Sequence, residues 1–141
     1  MDKKPHITIR PISEAPNLQI LKDNFGVDEK TVIVSFGDTI FCSEKGMSRD
    51  LLIHEMVHCE RQKYNKNSAE RWWELWFSDQ KFRLQEELLA YAQQFKYCKK
   101  VYKDKNVRAR ILFALAEELA SKDYGNICLV SEAQKQIREL S

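Results

Sequence analysis

Residues 54–58 read His-Glu-Met-Val-His and hold two of the chain's three histidines. On a helix, residues four apart differ by about 40° in direction and one turn in height, so His54 and His58 can offer their rings to one point. Neutral imidazoles suit Zn2+, and a zinc site with only three protein ligands keeps a position open for chemistry. Glu55 lies about 100° round the helix from His54. That takes it out of the chelate but leaves it within reach of a water beside the metal, where a carboxylate is a candidate general base.

Two imidazoles need a third ligand. His6 lies far upstream, and Tyr64 stands where a longer HExxHxxxxxH pattern would place another histidine. The nearest suitable groups are Glu86 and Glu87, on a segment whose Leu84, Leu88, Tyr91, Phe95, Cys98 and Tyr102 follow the spacing of one helical stripe. Glu87 lies about 60° from the centre of that stripe and Glu86 about 160° from it. The expectation is therefore that Glu87 faces the interior and Glu86 faces solvent. Cys42, Cys59 and Glu118 are competing ligands, and Arg83, one turn before Glu87, offers it an ordinary ion pair instead.

The HEMVH motif, separated by 28 residues from Glu87-Leu-Leu-Ala-Tyr91, resembles the gluzincin branch of zinc metallopeptidases, and in size the short single-domain members found in bacteria and phages. The resemblance covers about residues 30–95. It implies one Zn2+ held by His54, His58 and Glu87, Glu55 as catalytic base, and a peptide or protein substrate. It also implies a sheet-edge strand lining the substrate cleft ahead of the HExxH helix, a place that residues 39–43 occupy here. No downstream histidine is positioned to hold the oxyanion, so Tyr91, one turn after Glu87, is the candidate donor; its other reading is a core aromatic in the stripe.

These residues need a scaffold. The chain has 141 residues, 43% hydrophobic and 31% charged, with a net charge of +2. Such a composition excludes a disordered tail or low-complexity scaffold and gives no bulk-charge signal for a polyanionic partner. One domain over 1–141 is expected, with no bilayer-spanning run, no secretory h-region after the first lysines, and four scattered cysteines read as reduced thiols in a cytoplasmic setting. The expected fold is α+β and zincin-like: a small N-terminal antiparallel or mixed sheet, the HExxH helix, and further C-terminal helices.

Segment by segment, residues 6–12 predict a strand, and 17–25 a helix with Asn17 as N-cap and Gly26 as stop. Residues 32–36 and 39–43 predict a hairpin through Gly37-Asp38. Helices are predicted over 48–62, 80–102 and 106–123, with a last one from Ser131, where Ser131 and Gln134 have capping-box spacing. Leu52, Ile53, Met56 and Val57 lie opposite the histidines, predicting a largely buried HExxH helix.

Two further features suggest other roles. Trp72, Trp73 and Trp76, behind a polar link, read as a lid or brace over the core, or alternatively as a partner surface. Residues 96–110 carry seven basic side chains against one acid, which fits a solvated helix end and does not favour nucleic acid without a recognised motif. A non-catalytic metal-binding module, interacting through the tryptophans or the basic patch, is thus the alternative to an enzyme.

Overall fold

The computed structural model describes residues 6–64 and 68–141. Of the polar link expected ahead of the tryptophans, residues 65–67 lie outside the described set. Among the described residues the fold is mixed α+β and mostly helical, with six α-helices and one three-stranded sheet.

Strand β1 (Thr8–Pro11) ends at a proline, which can donate no ladder hydrogen bond. Helix α1 (Leu18–Phe25) follows, then β2 (Val34–Phe36) and β3 (Thr39–Cys42). The β2–β3 hairpin forms as the sequence predicts: Phe36 pairs with Thr39 across a two-residue link in which Gly37 supplies φ +68°, a conformation that side chains resist. The sheet order is β1-β3-β2, with β3 parallel to β1 and antiparallel to β2. This corrects the expectation for residues 39–43. β3 is the central strand, both its ladders are taken, and no substrate strand can add beside it.

Three longer helices and two of 11 residues follow: α2 (Arg49–Tyr64), α3 (Ser68–Ser78), α4 (Gln80–Val101), α5 (Lys105–Leu119) and α6 (Val130–Leu140). Asp79 caps α4 by accepting from the amides of Lys81 and Phe82, and Asp104 caps α5 in the same way. Two expected caps differ. Asn17 precedes α1 at φ −111°, ψ 13°, and its side chain makes no capping bond. At α6 the helix begins one residue before Ser131, and the Glu132 carboxylate accepts from the Leu129 amide.

The long helix α4 is the axis of the molecule. On one side, α1, β2, β3 and the three tryptophans of α3 build an apolar cluster; on the other, Leu88, Tyr91 and Phe95 pack with α5 and α6 in a second. α2 lies against α4, α3 and β2. The largely buried helix expected from the sequence is enclosed on its polar side and only partly covered on its apolar one. The buried residues of α2 are His54, Glu55, His58, Cys59 and Gln62, while Leu52, Ile53, Met56 and Val57 are only half-buried. The polar face is inside because α4 and β2 supply it with partners, and polar groups with partners can be buried without the desolvation penalty of orphaned ones.

After α5, a 3₁₀ turn at Lys122–Tyr124 closes on Gly125, at φ +86°. A Cβ there would lie 3.1 Å from Arg83 Nη2 and 3.2 Å from the Phe25 ring. Arg83 is itself fixed, donating from Nε to the Tyr124 carbonyl at 2.9 Å. Gly125→Ala should therefore cost about 1–3 kcal/mol, read as a lowered urea midpoint at unchanged m-value.

Candidate metal centre

His54 and His58 meet Glu87 of α4 in the interior, all three no more than 4% exposed. His54 Nε2 lies 3.2 Å from Glu87 Oε1, and His58 Nε2 lies 3.0 Å from Glu87 Oε2. The donor atoms fall within 4.8 Å of one another, and among the described residues this is the only such group that could hold a metal ion. Two ring nitrogens and one carboxylate oxygen, converging where water is scarce, fit a divalent cation chemically. Cys42, Cys59 and Glu118 are not in the group, and Arg83 turns to the backbone oxygens of Trp76 and Tyr124 rather than to Glu87.

Burial alone would raise the Glu87 pKa, but the facing His58 charge and the hydrogen bonds from both imidazoles outweigh it and hold the carboxyl well below the usual range. Trp76 Nε1 adds a third donor, 3.0 Å from Oε2. Burial pulls His54 down, yet the Glu87 hydrogen bond and the charges of Glu55 and Glu87 raise it to about 9. His54 Nδ1 contacts Gln94 Oε1 at 3.0 Å, and Gln94 Nε2 donates to Asp50 Oδ2 at 2.9 Å.

Glu55 takes the place its helical angle predicts, beside the group but outside it, with Oε2 3.9 Å from His54 Nε2. Its Oε1 accepts from Ser35 Oγ of β2 at 2.8 Å. Burial is the largest influence on this carboxyl and raises its pKa, only partly offset by the two histidines and the Ser35 hydroxyl. β2 is held in place by Gln62, whose amide donates to the Ser35 carbonyl at 2.9 Å and accepts from the Gly37 amide at 2.7 Å.

A cavity of about 300 Å³ reaches His54, Glu55, His58 and Glu87, and is lined further by Trp73, Trp76, Tyr91, Tyr124 and Glu118, and by the segment 31–33. Tyr91 packs edge-on to His54 at 4.4 Å between ring centroids, and its hydroxyl is 2.8 Å from that of Tyr124.

Glu86 departs from the solvent-facing position expected of it. Far from facing solvent it is 1% exposed, accepting from Arg61 at 3.0 and 2.8 Å and from Trp72 Nε1 at 2.8 Å. A single apolar stripe identifies one covered face, whereas α4 is covered by α2 and α3 as well as by α5 and α6. The tryptophan segment is likewise no partner surface: Trp72, Trp73 and Trp76 are at most 8% exposed, and every indole N–H donates, that of Trp73 to the Ser35 carbonyl. In the basic segment, Lys96, Lys100, Lys103, Lys105 and Arg110 are exposed, while Arg108 ties the α4 end by donating to the carbonyls of Lys99 and Tyr102.

Reading one stripe missed Gln94, Asp50, Tyr124 and Ser35. For two of them a signal was present: Asp50 lies four residues before His54, and Gln94 seven after Glu87, so each shares a ligand's helical face. Tyr124 and Ser35 come from a turn and a strand whose approach no local pattern encodes.

Comparison with known protein families, with curated proteins and with solved structures returns no match. Among the described residues, no helix is long and apolar enough to cross a membrane. The chemistry of the group itself therefore carries the functional argument.

His54 shows how pH acts on this centre. A group raised from 6.5 to about 9 on folding stabilises the fold fully below about pH 6.5, and that contribution is lost as pH rises through 9. Protein kept free of metal by a chelator should thus lose up to roughly 3 kcal/mol between pH 6.5 and 9.5. Denaturant melts across that window, with and without Zn2+, check this; the zinc-loaded protein should show a flatter profile.

Proposed function

We propose that the chain is a zinc-dependent metallopeptidase, a hydrolase acting on peptide bonds from a zincin-like domain. The observation that carries the reading is the convergence of His54, His58 and Glu87 on one point, with the Glu55 carboxylate beside it and a cavity leading in. A purely structural zinc site is usually closed by four protein ligands and needs no adjacent base.

Zinc held by these three side chains supplies Lewis acidity, polarising a peptide carbonyl and making water a nucleophile near neutral pH. The chain's own residues do the rest. Glu55 takes the proton of the attacking water and delivers it to the departing amine, a shuttle that suits a carboxyl whose pKa burial has raised. Ser35 holds Oε1 still, leaving Oε2, on the His54 side, to carry the proton.

The Tyr91–Tyr124 contact uses one of two hydroxyl protons and leaves the other free to donate to a substrate oxygen, so the role expected of Tyr91 belongs to the pair. With both ladders of β3 occupied and the Ser35 carbonyl bonded to Gln62 and Trp73, the substrate backbone meets the chain at residues 31–33, which line the cavity. A volume of about 300 Å³ is at the small end for ligand sites, enough for one side chain and its adjoining peptide group.

Glu55→Gln preserves the acceptor for Ser35 and removes only the proton shuttle. It should bind zinc as the wild type does and hydrolyse a mixed peptide library at least 10²- to 10⁴-fold more slowly, as followed by mass spectrometry. Undiminished turnover in that variant removes Glu55 from the reaction. Glu87→Ala and Glu86→Ala separate ligand from scaffold: metal analysis should show zinc lost from the first and kept by the second, whose defect is a lower melting temperature from the orphaned Arg61 and Trp72 donors.

A further inference from the structure

A buried imidazole that is to bind a cation through one nitrogen must carry its proton on the other, and something must decide which is which. At His54 the decision is made through Gln94 by Asp50. An ionised Asp50 carboxylate has only acceptors, so the Gln94 group 2.9 Å from Asp50 Oδ2 is the donating amide nitrogen. That fixes the orientation of the Gln94 amide, and its oxygen is left facing His54 Nδ1 at 3.0 Å. An amide oxygen only accepts, so Nδ1 carries the hydrogen. In the neutral ring Nε2 then holds a lone pair, aimed at Glu87 Oε1 3.2 Å away. Two electron-rich atoms at that distance need a positive charge between or beside them.

His58 makes the contrast. Its Nε2 lies 3.0 Å from Glu87, but its Nδ1 is buried with no hydrogen-bond partner among the described residues. The two histidines of the motif are therefore not equivalent: among the described residues, one has its Nδ1 held by a side chain and the other does not.

We propose that Asp50 and Gln94 are positioning residues, a polar relay that locks His54 with its hydrogen on Nδ1 and presents Nε2 to the metal ion. The relay starts at the N-terminal turn of α2, where Ser48 Oγ also donates to Asp50, crosses to α4 and returns to α2. It rests on the metal-centre reading above and distinguishes the two rings: His54 has its tautomer fixed by the relay, and His58 does not share that support.

The test measures Zn2+ affinity of the full chain by competition with a chromogenic chelator, together with the imidazole N–H resonances of the zinc-loaded protein. The wild type should show the His54 Nδ1–H downfield of the His58 Nδ1–H and slower to exchange. Gln94→Leu should bind zinc about 10- to 100-fold more weakly. Gln94→Glu alone, which sets two carboxylates against each other, should also weaken binding. Adding Asp50→Asn restores a donor facing an acceptor and should recover affinity to within about threefold, a rescue that simple packing cannot explain.

If the wild type binds zinc and Gln94→Leu matches it within twofold, or the two N–H signals exchange alike, the relay is overturned while the metal centre stands. Should Gln94→Leu fail to fold, the wild-type resonances and the double variant decide. A wild type that takes up no zinc removes the metal centre and the relay together. Zinc binding with the expected resonances but no peptide hydrolysis removes the peptidase reading and leaves the relay intact.

Discussion

A carboxylate buried to 2% exposure, with two imidazoles and an indole as its partners, is the constraint around which this molecule is built. Glu87 cannot be ionised in such a place without compensating positive charge, whether protons on the histidines or a bound cation. Satisfying it sets the crossing of α2 on α4, because both rings must reach the carboxylate at once. It also sets the position of α3, whose Trp76 gives the remaining donor. The hairpin follows in turn, since Gln62 and Ser35 bind β2 to the same helix that carries the ligands.

The surroundings serve the same demand by spreading polar contacts through an aromatic wall. Each indole nitrogen finds an acceptor on α4 or β2, and the Glu86 carboxylate gathers Arg61 and Trp72 one helical position away from Glu87. Adjacent glutamates thus do different work in the same interior: one ties helices together through neutral and cationic donors, the other faces the imidazoles. Across the cavity, Arg83 gathers the Tyr124 carbonyl and stacks over Phe25 and Trp76, linking the C-terminal turn to the N-terminal cluster.

Much of this was written locally. Four-residue spacing of the histidines, the carboxylate directly after the first of them and the Gly37-Asp38 link each encode their geometry within a few residues, and each appears in the structure. Glu87 was found from one apolar stripe because it flanks that stripe. Glu86 was misplaced by the same reasoning, since its cover comes from Trp72 and Arg61 on other helices. The strand at 39–43 carries no local sign that it is central, because its second partner, β1, lies about thirty residues earlier in sequence. Asn17 had the right residue type for a cap but not the backbone angles. What failed was information held between segments, where tertiary partners override local preference.

The reversed polarity of α2 has a consequence for how such a chain can change over generations. An ordinary surface helix keeps its greasy residues and lets its charged ones wander. Here Leu52, Ile53, Met56 and Val57 stand partly in water, whereas His54, Glu55, His58 and Gln62 are enclosed and bonded. Substitution on the oily side gives up only partial burial, whereas on the hydrophilic one it breaks bonds in the interior, so the positions a hydropathy plot marks as core are the more tolerant half of this helix.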